Sequence, residues 1–151
     1  MSEEDINHTY FLAIESMATL NRNSAQLMQK YGARGATDVT GFGLMGHAEN
    51  LASVQEEEID LVFHSLPILT DMDKSIDGMH DFKVKSGRSA ETSGGLLAMM
   101  GPAEARQFIQ ESESDYGQES WIVGEVVPGS RQAYIRDDAE VIAIRDPFIK
   151  H

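Results

Sequence analysis

Asp38 sits between Thr37 and Thr40 and is followed by Gly41 and Gly43 at the approach to a helix. A carboxylate in such a loop suits a hard cation, and the glycines let backbone come close to a polyphosphate that the cation holds. The same residues suit capping of the following helix at least as well, so residue type alone leaves both roles open. A second segment with chemical potential is Glu91-Thr92-Ser93-Gly94-Gly95, which leads into an apolar run. Its hydroxyls and backbone donors could form an anion-binding nest, and a tight glycine turn explains them equally well.

Other patterns fail on their context. Gly41-Phe42-Gly43-Leu44-Met45-Gly46 spells G-x-G-x-x-G, and Asp60 stands near the distance of a ribose-binding acid. The dinucleotide fingerprint needs a buried strand just before its glycines, whereas residues 36–40 include Thr37, Asp38 and Thr40. Asp38 would also repel a pyrophosphate, and Asp60 opens its strand instead of closing it. Asp73, Ser75, Asp77, Gly78 and Asp81 imitate a calcium loop, but Val84 occupies the place of the required bidentate glutamate. The histidines, His8, His47, His64, His80 and His151, form no H-x-x-x-H pair beside a glutamate, and His47 reads as a helix-face or capping residue. Ser93 lacks the G-x-S-x-G context of a hydrolase nucleophile. Core packing accounts for Met17, Met28, Met45, Met99 and Met100.

The elements that must position these residues follow from periodicity. Ile6, Tyr10, Ile14 and Met17 recur at helical spacing from Glu3 to about Ala18, with Phe11 and Ala13 widening the stripe. Asn21 or Asn23 can cap a second helix, and Gly32 is placed to end it in a left-handed conformation. Residues 33–43 read as a structured loop. A third helix is expected over residues 42–54, burying Leu44, Met45, Ala48, Leu51 and Ala52. A strand near residues 59–63 is followed by Pro67, suited to the first turn of a short helix. Residues 71–89 are polar and aperiodic and predict a long, mobile loop. A buried strand in SGGLLAMMG, a helix opened by Pro102, and short strands in WIVGEVV, QAYIR and EVIAI complete the chain. Turn signals at Pro128-Gly129 and Asp137-Asp138 separate those last strands. The fold class is α+β, one domain over residues 1–151 with helices packed on a mixed or antiparallel sheet.

Composition narrows the functions. The 151 residues fit one domain. With 12 basic and 25 acidic residues the formal charge is −13, which disfavours nucleic acid and anionic membranes as partners. Cysteine is absent, so there is no disulfide, thiolate metal site or cysteine nucleophile, in keeping with a reducing cytosol. No apolar run reaches the roughly 20 residues of a membrane span, and the acidic start is unlike a secretory signal.

The two glycine-rich segments resemble selenophosphate synthetase (selenide, water dikinase). That family carries T-D-[VI]-T-G-F-G-[LI]-x-G-H-A and, later, T-S-G-G-L-L; residues 37–48 and 92–97 match in full. Residues 17–22, Leu66-Pro67 and residues 121–124 are similar as well, especially to eukaryotic members. Ala90 departs from a proline common before the second motif, and residues 71–89 do not align.

The resemblance implies the carboxy-terminal domain of a two-domain enzyme in the wider aminoimidazole ribonucleotide synthetase group. Its partner would be an amino-terminal ATP-binding domain, within a cytoplasmic homodimer. It implies conversion of ATP, selenide and water to selenophosphate, phosphate and AMP, with ATP and Mg2+ required by the full-length enzyme and neither held tightly by this chain. Asp38 would be one magnesium ligand, Thr37, Thr40 and Gly41 would shape its loop, and Thr92, Ser93, Gly94 and Gly95 would line the same cleft. The catalytic lysine and the cysteine or selenocysteine belong to the amino-terminal part, so no catalytic residue is expected here. Two alternatives stay open: a non-catalytic interaction or regulatory module, and a related ATP-dependent enzyme with another substrate. The coding sequence upstream of Met1 would discriminate among these readings.

Overall fold

The computed structural model describes residues 2–70 and 84–145. In order these form α1 (Glu3–Ala18), α2 (Arg22–Lys30), β1 (Gly35–Asp38), α3 (Gly43–Ser53), β2 (Ile59–Leu69), a 3-10 turn (Val84–Ser86), β3 (Leu96–Met99), α4 (Pro102–Tyr116), β4 (Gly124–Pro128) and β5 (Ala133–Ile144). β1 and β3 make an antiparallel pair, and β4-β2-β5 make a mixed sheet in which β2 runs antiparallel to β4 and parallel to β5. Four helices on two small sheets among the described residues bear out the α+β class. The proposed calcium-like positions and most of the polar 71–89 stretch lie outside the described residues.

Helix ends follow local chemistry. Ser2 and Asp5 form a reciprocal capping box at the start of α1. Gly32, at φ +65°, closes α2 as expected, with Ala33 N–H donating to Met28 O and Gly32 N–H to Gln29 O. Pro102 opens α4 and Gly117, at φ +61°, ends it.

The core lies between α3 and the sheets. Met45, Ala48, Leu51 and Ala52 pack against Leu61 and Phe63 of β2, with Leu97 and Met99 of β3 and Ala133 and Ile135 of β5 around them. Small residues on α3 let it lie close to β2: Ala48 and Ala52 have no exposed surface at all. Leu44, expected inside, is only half-buried.

Several strand expectations need correction. Residues 35–38 form a strand instead of a loop, because Leu96–Met99 pairs with them from far along the chain. Pro67 does not start a helix; it continues β2 opposite Ile142. Pairing with β4 ends at Phe63, so among the described residues β2 has a neighbour on one side only at Pro67, a position proline tolerates. Asp137-Asp138 is not a turn between two strands. Across from it the pairing jumps from Phe63–Ile135 to Ser65–Glu140, leaving residues 136–139 as a bulge opposite His64. Arg136 clasps the Asp138 carboxylate there at 2.7 and 2.8 Å. Trp121, Ile122 and Val123 precede β4, although Val123 O accepts from both His64 N–H and Ser65 N–H. β3 is half-buried where a buried strand was expected.

The apolar stripe of α1 does not face the core. Tyr10 is 67% exposed and Ile6, Phe11, Ile14 and Met17 are exposed too, while Thr9 and Leu12 point inward. Its helical period is as expected, but no described element covers that stripe.

Ala48→Leu should lower unfolding free energy by about 1–3 kcal/mol, because the three added carbon atoms have no room between α3 and β2. Urea denaturation checks this: the midpoint should fall with the slope unchanged.

Candidate functional site

β1 brings Asp38 into place, and β3 brings the second glycine segment beside it. Thr37 pairs with Leu97 and Asp38 with Leu96. Two further bonds extend the contact past the strands: Val39 N–H to Gly95 O at 2.9 Å and Glu91 N–H to Thr40 O at 3.0 Å. The two motifs singled out in the sequence thus form one surface. Asn21, read above as a helix cap, reaches it as well. It occupies the N-cap of α2 but makes no side-chain cap bond; its Nδ2 instead donates to Gly94 O at 2.9 Å.

Capping does not explain Asp38. The N-cap of α3 is Phe42, with no side-chain cap bond. Backbone serves the first turn: Gly43 N–H donates to Thr40 O at 3.0 Å and Met45 N–H to Gly87 O at 2.9 Å. The Asp38 side chain is exposed, and its carboxylate has no hydrogen bond or ion pair among the described residues. Thr37 Oγ1 donates to the Asp38 carbonyl at 3.0 Å. A cation would not find a complete shell here, since no group of three or more His, Asp or Glu side chains converges among the described residues. A single oxygen ligand fits a shared magnesium shell but not a self-sufficient site.

The glycines divide into two kinds. A Cβ on Gly94 would lie 2.0 Å from Val39 O, and one on Gly43, at φ +69°, would meet the carbonyls of Gly87 and Ser89. These two permit close backbone packing. Gly41 and Gly95 have neither positive φ nor any atom within 4 Å of a Cβ. Nothing among the described residues requires glycine at those two positions.

In the second segment Ser93 adopts φ +51°, and the amides of Thr92, Ser93 and Gly94 have no acceptor among the described residues. Glu91 lies alongside, near Gly94. Desolvation pushes its carboxyl above the ordinary carboxylate range, although the residue as a whole stays exposed. His47 is a residue whose role the sequence reading left general: its ring lies 3.1 Å from Thr40 Oγ1 through Nε2, with the Phe42 ring 5.5 Å away. The seven-residue interval from Thr40 was the only local signal. Asp60 proves structural, as its Oδ1 accepts from Ser130 N–H at 2.7 Å and Gln132 N–H at 2.9 Å to hold the β4–β5 connection.

Gly94→Ala should separate the two segments. Hydrogen exchange at Val39 and Glu91 should speed up several-fold, whereas Gly95→Ala should leave both amides near the parent rate.

Comparison with known proteins matches this architecture. Residues 4–137 fit the family described as AIR synthase related protein, C-terminal domain. Selenide, water dikinase 2 of Homo sapiens is 43% identical over 147 residues, covering 95% of this chain and 33% of that protein. Selenide, water dikinase of Dictyostelium discoideum is 44% identical over 147 residues, covering 97% and 40%. The probable selenide, water dikinase of Caenorhabditis elegans is 48% identical over 117 residues, covering 74% and 31%. The chain spans between about a third and two fifths of the length of these curated relatives. The resemblance to selenophosphate synthetase read from the two motifs therefore holds along nearly the whole chain, and the chain belongs to the AIR synthase related protein, C-terminal domain family.

Proposed function

We propose that this chain is the carboxy-terminal, metal-assisting domain of a selenide, water dikinase, which forms selenophosphate, AMP and phosphate from ATP, selenide and water. The observation that carries the reading is the β1–β3 pairing, which sets an exposed, unspent Asp38 carboxylate beside the second glycine segment. Magnesium held on the triphosphate would supply charge neutralisation and alignment of the leaving group.

This chain's residues contribute binding and orientation. Asp38 offers one oxygen to the metal, and Thr37 holds the Asp38 peptide through its carbonyl. Thr40 anchors the loop. Gly41 and Gly95, glycine without an internal reason, leave room for a polyphosphate to approach backbone. Thr92, Ser93 and Gly94 supply unspent amides in an anion-binding curve.

One carboxylate is too few to hold magnesium, so the remaining ligands and the catalytic groups belong to an amino-terminal ATP-binding domain in a cytoplasmic homodimer. The uncovered apolar stripe of α1 supports a partner domain. No helix among the described residues is long and apolar enough to cross a membrane.

The isolated chain should form no AMP from ATP and selenide. In the full-length protein, Asp38→Asn should cut turnover at limiting magnesium by at least about tenfold, equivalent to about 1.4 kcal/mol. Its melting temperature should hardly change, because the carboxylate has no partner to lose among the described residues. Parent-like turnover at limiting magnesium would sink the metal role.

A further inference from the structure

We propose that His47 is a positioning residue for the Asp38 loop, locking the two glycine segments together through Thr40. This rests on the reading that the loop faces metal-bound triphosphate.

Thr40 is the junction of the surface. Its carbonyl accepts both Gly43 N–H, from the first turn of α3, and Glu91 N–H, from the second glycine segment, each at 3.0 Å. Its hydroxyl meets His47 Nε2 at 3.1 Å. One residue therefore ties the metal loop to a helix and to the segment that follows Ala90. Without its side-chain bond, Thr40 would be held by its backbone alone, two residues beyond Asp38.

His47 is a rigid place from which to hold it. It lies on α3 between Met45 and Ala48, both buried against the sheets. The imidazole cannot swing freely, because the Phe42 ring packs on it at 5.5 Å between centroids, tilted by 47°. Gly46 makes that packing possible: a Cβ there would lie 2.6 Å from Phe42 Cβ. Phe42 is itself 68% exposed, so burial of its own surface does not explain its position. Gly43 completes the arrangement by admitting the carbonyls of Gly87 and Ser89 against the helix start. Phe42, Gly43, Gly46 and His47 thereby act on one target, the Thr40 side chain and the peptide beside it.

The bond between Thr40 and His47 is half-exposed, so its contribution to global stability is small. Its effect is geometric. Fixing Thr40 limits how far the Asp38 carboxylate can wander from the position in which it completes a magnesium shell, as partners one step removed from a metal do elsewhere.

The test uses the full-length protein with His47→Leu, which keeps bulk but breaks the bond, and His47→Gln, which returns an amide near the Nε2 position. Thr40→Val breaks the same bond from the other side and replaces His47→Leu if that variant does not fold. Without nucleotide, amide exchange at Glu91 and Gly43 should quicken roughly three- to tenfold in His47→Leu, the range expected for losing one hydrogen bond. His47→Gln should stay near the parent. With ATP and selenide, His47→Leu should need about tenfold more magnesium for half-maximal turnover and recover most of kcat at saturation, and His47→Gln should again be close to the parent. Parent-like exchange and magnesium dependence in His47→Leu, or equal impairment in His47→Gln, would overturn the proposal. Asp38→Asn run alongside separates the two readings. If it leaves magnesium dependence unchanged the metal role fails, and the exchange measurements still decide whether His47 locks the two segments.

Discussion

Backbone pairing between Gly35–Asp38 and Leu96–Met99 joins two segments far apart in the chain, and the candidate site exists only where they meet. The pairing continues beyond the strands through Val39 and Gly95, then Thr40 and Glu91. Each bond is worth little net free energy in water, but together they fix a register. A slip by one residue would turn Asp38 to the opposite face and place Gly94, which has no room for a Cβ beside Val39 O, against the wrong carbonyl. The ladder is backed by α3, whose alanines allow close contact with β2 while Leu97 and Met99 of β3 reach the same core. Packing of the core and placement of the site are thus one arrangement.

Charge has a smaller part in holding the fold. Lys30 at the end of α2 and Tyr31 just after it converge on Glu111 of α4, which draws the Glu111 carboxyl below its usual range and raises Lys30 through the same bond. Arg88 pairs with Glu49, and Arg136 with Asp138. Such exposed pairs contribute modestly because water and salt screen them. Buried polar groups carry more structural information. Ser112, wholly buried, donates to Gln118 O at 2.8 Å and receives Ser120 Oγ at 3.2 Å, joining the end of α4 to the segment leading into β4.

Function and fold make different demands on the same short motif. Gly43 and Gly46 serve packing, since a side chain at either would strike backbone or Phe42, whereas Gly41 lies open. Thr40 Oγ1 meets His47 Nε2, whereas the Asp38 side chain has no partner among the described residues. A motif of this kind combines residues that build a surface with residues that the surface presents. Residues that only build should cost stability when changed, and those that only present should cost ligand binding.

Helices and their ends were legible in the sequence because their signals are local. Periodicity marked α1 and α3, Gly32 marked the end of α2, and Pro102 marked the start of α4. The two chemical segments, with Asp38 at the centre of one, were also legible from residue type and motif. Strand boundaries were not. Whether residues 35–38 pair, whether Pro67 ends a strand and whether Asp137-Asp138 turns or bulges all depend on partners distant in the chain, which local composition does not encode. Periodicity likewise revealed the apolar stripe of α1 but not the direction it faces. Only the tertiary structure separated capping from presentation at Asp38. Both roles ask for the same side chain, and the difference lies in whether backbone from elsewhere, here Gly87 and Thr40, has already satisfied the helix start.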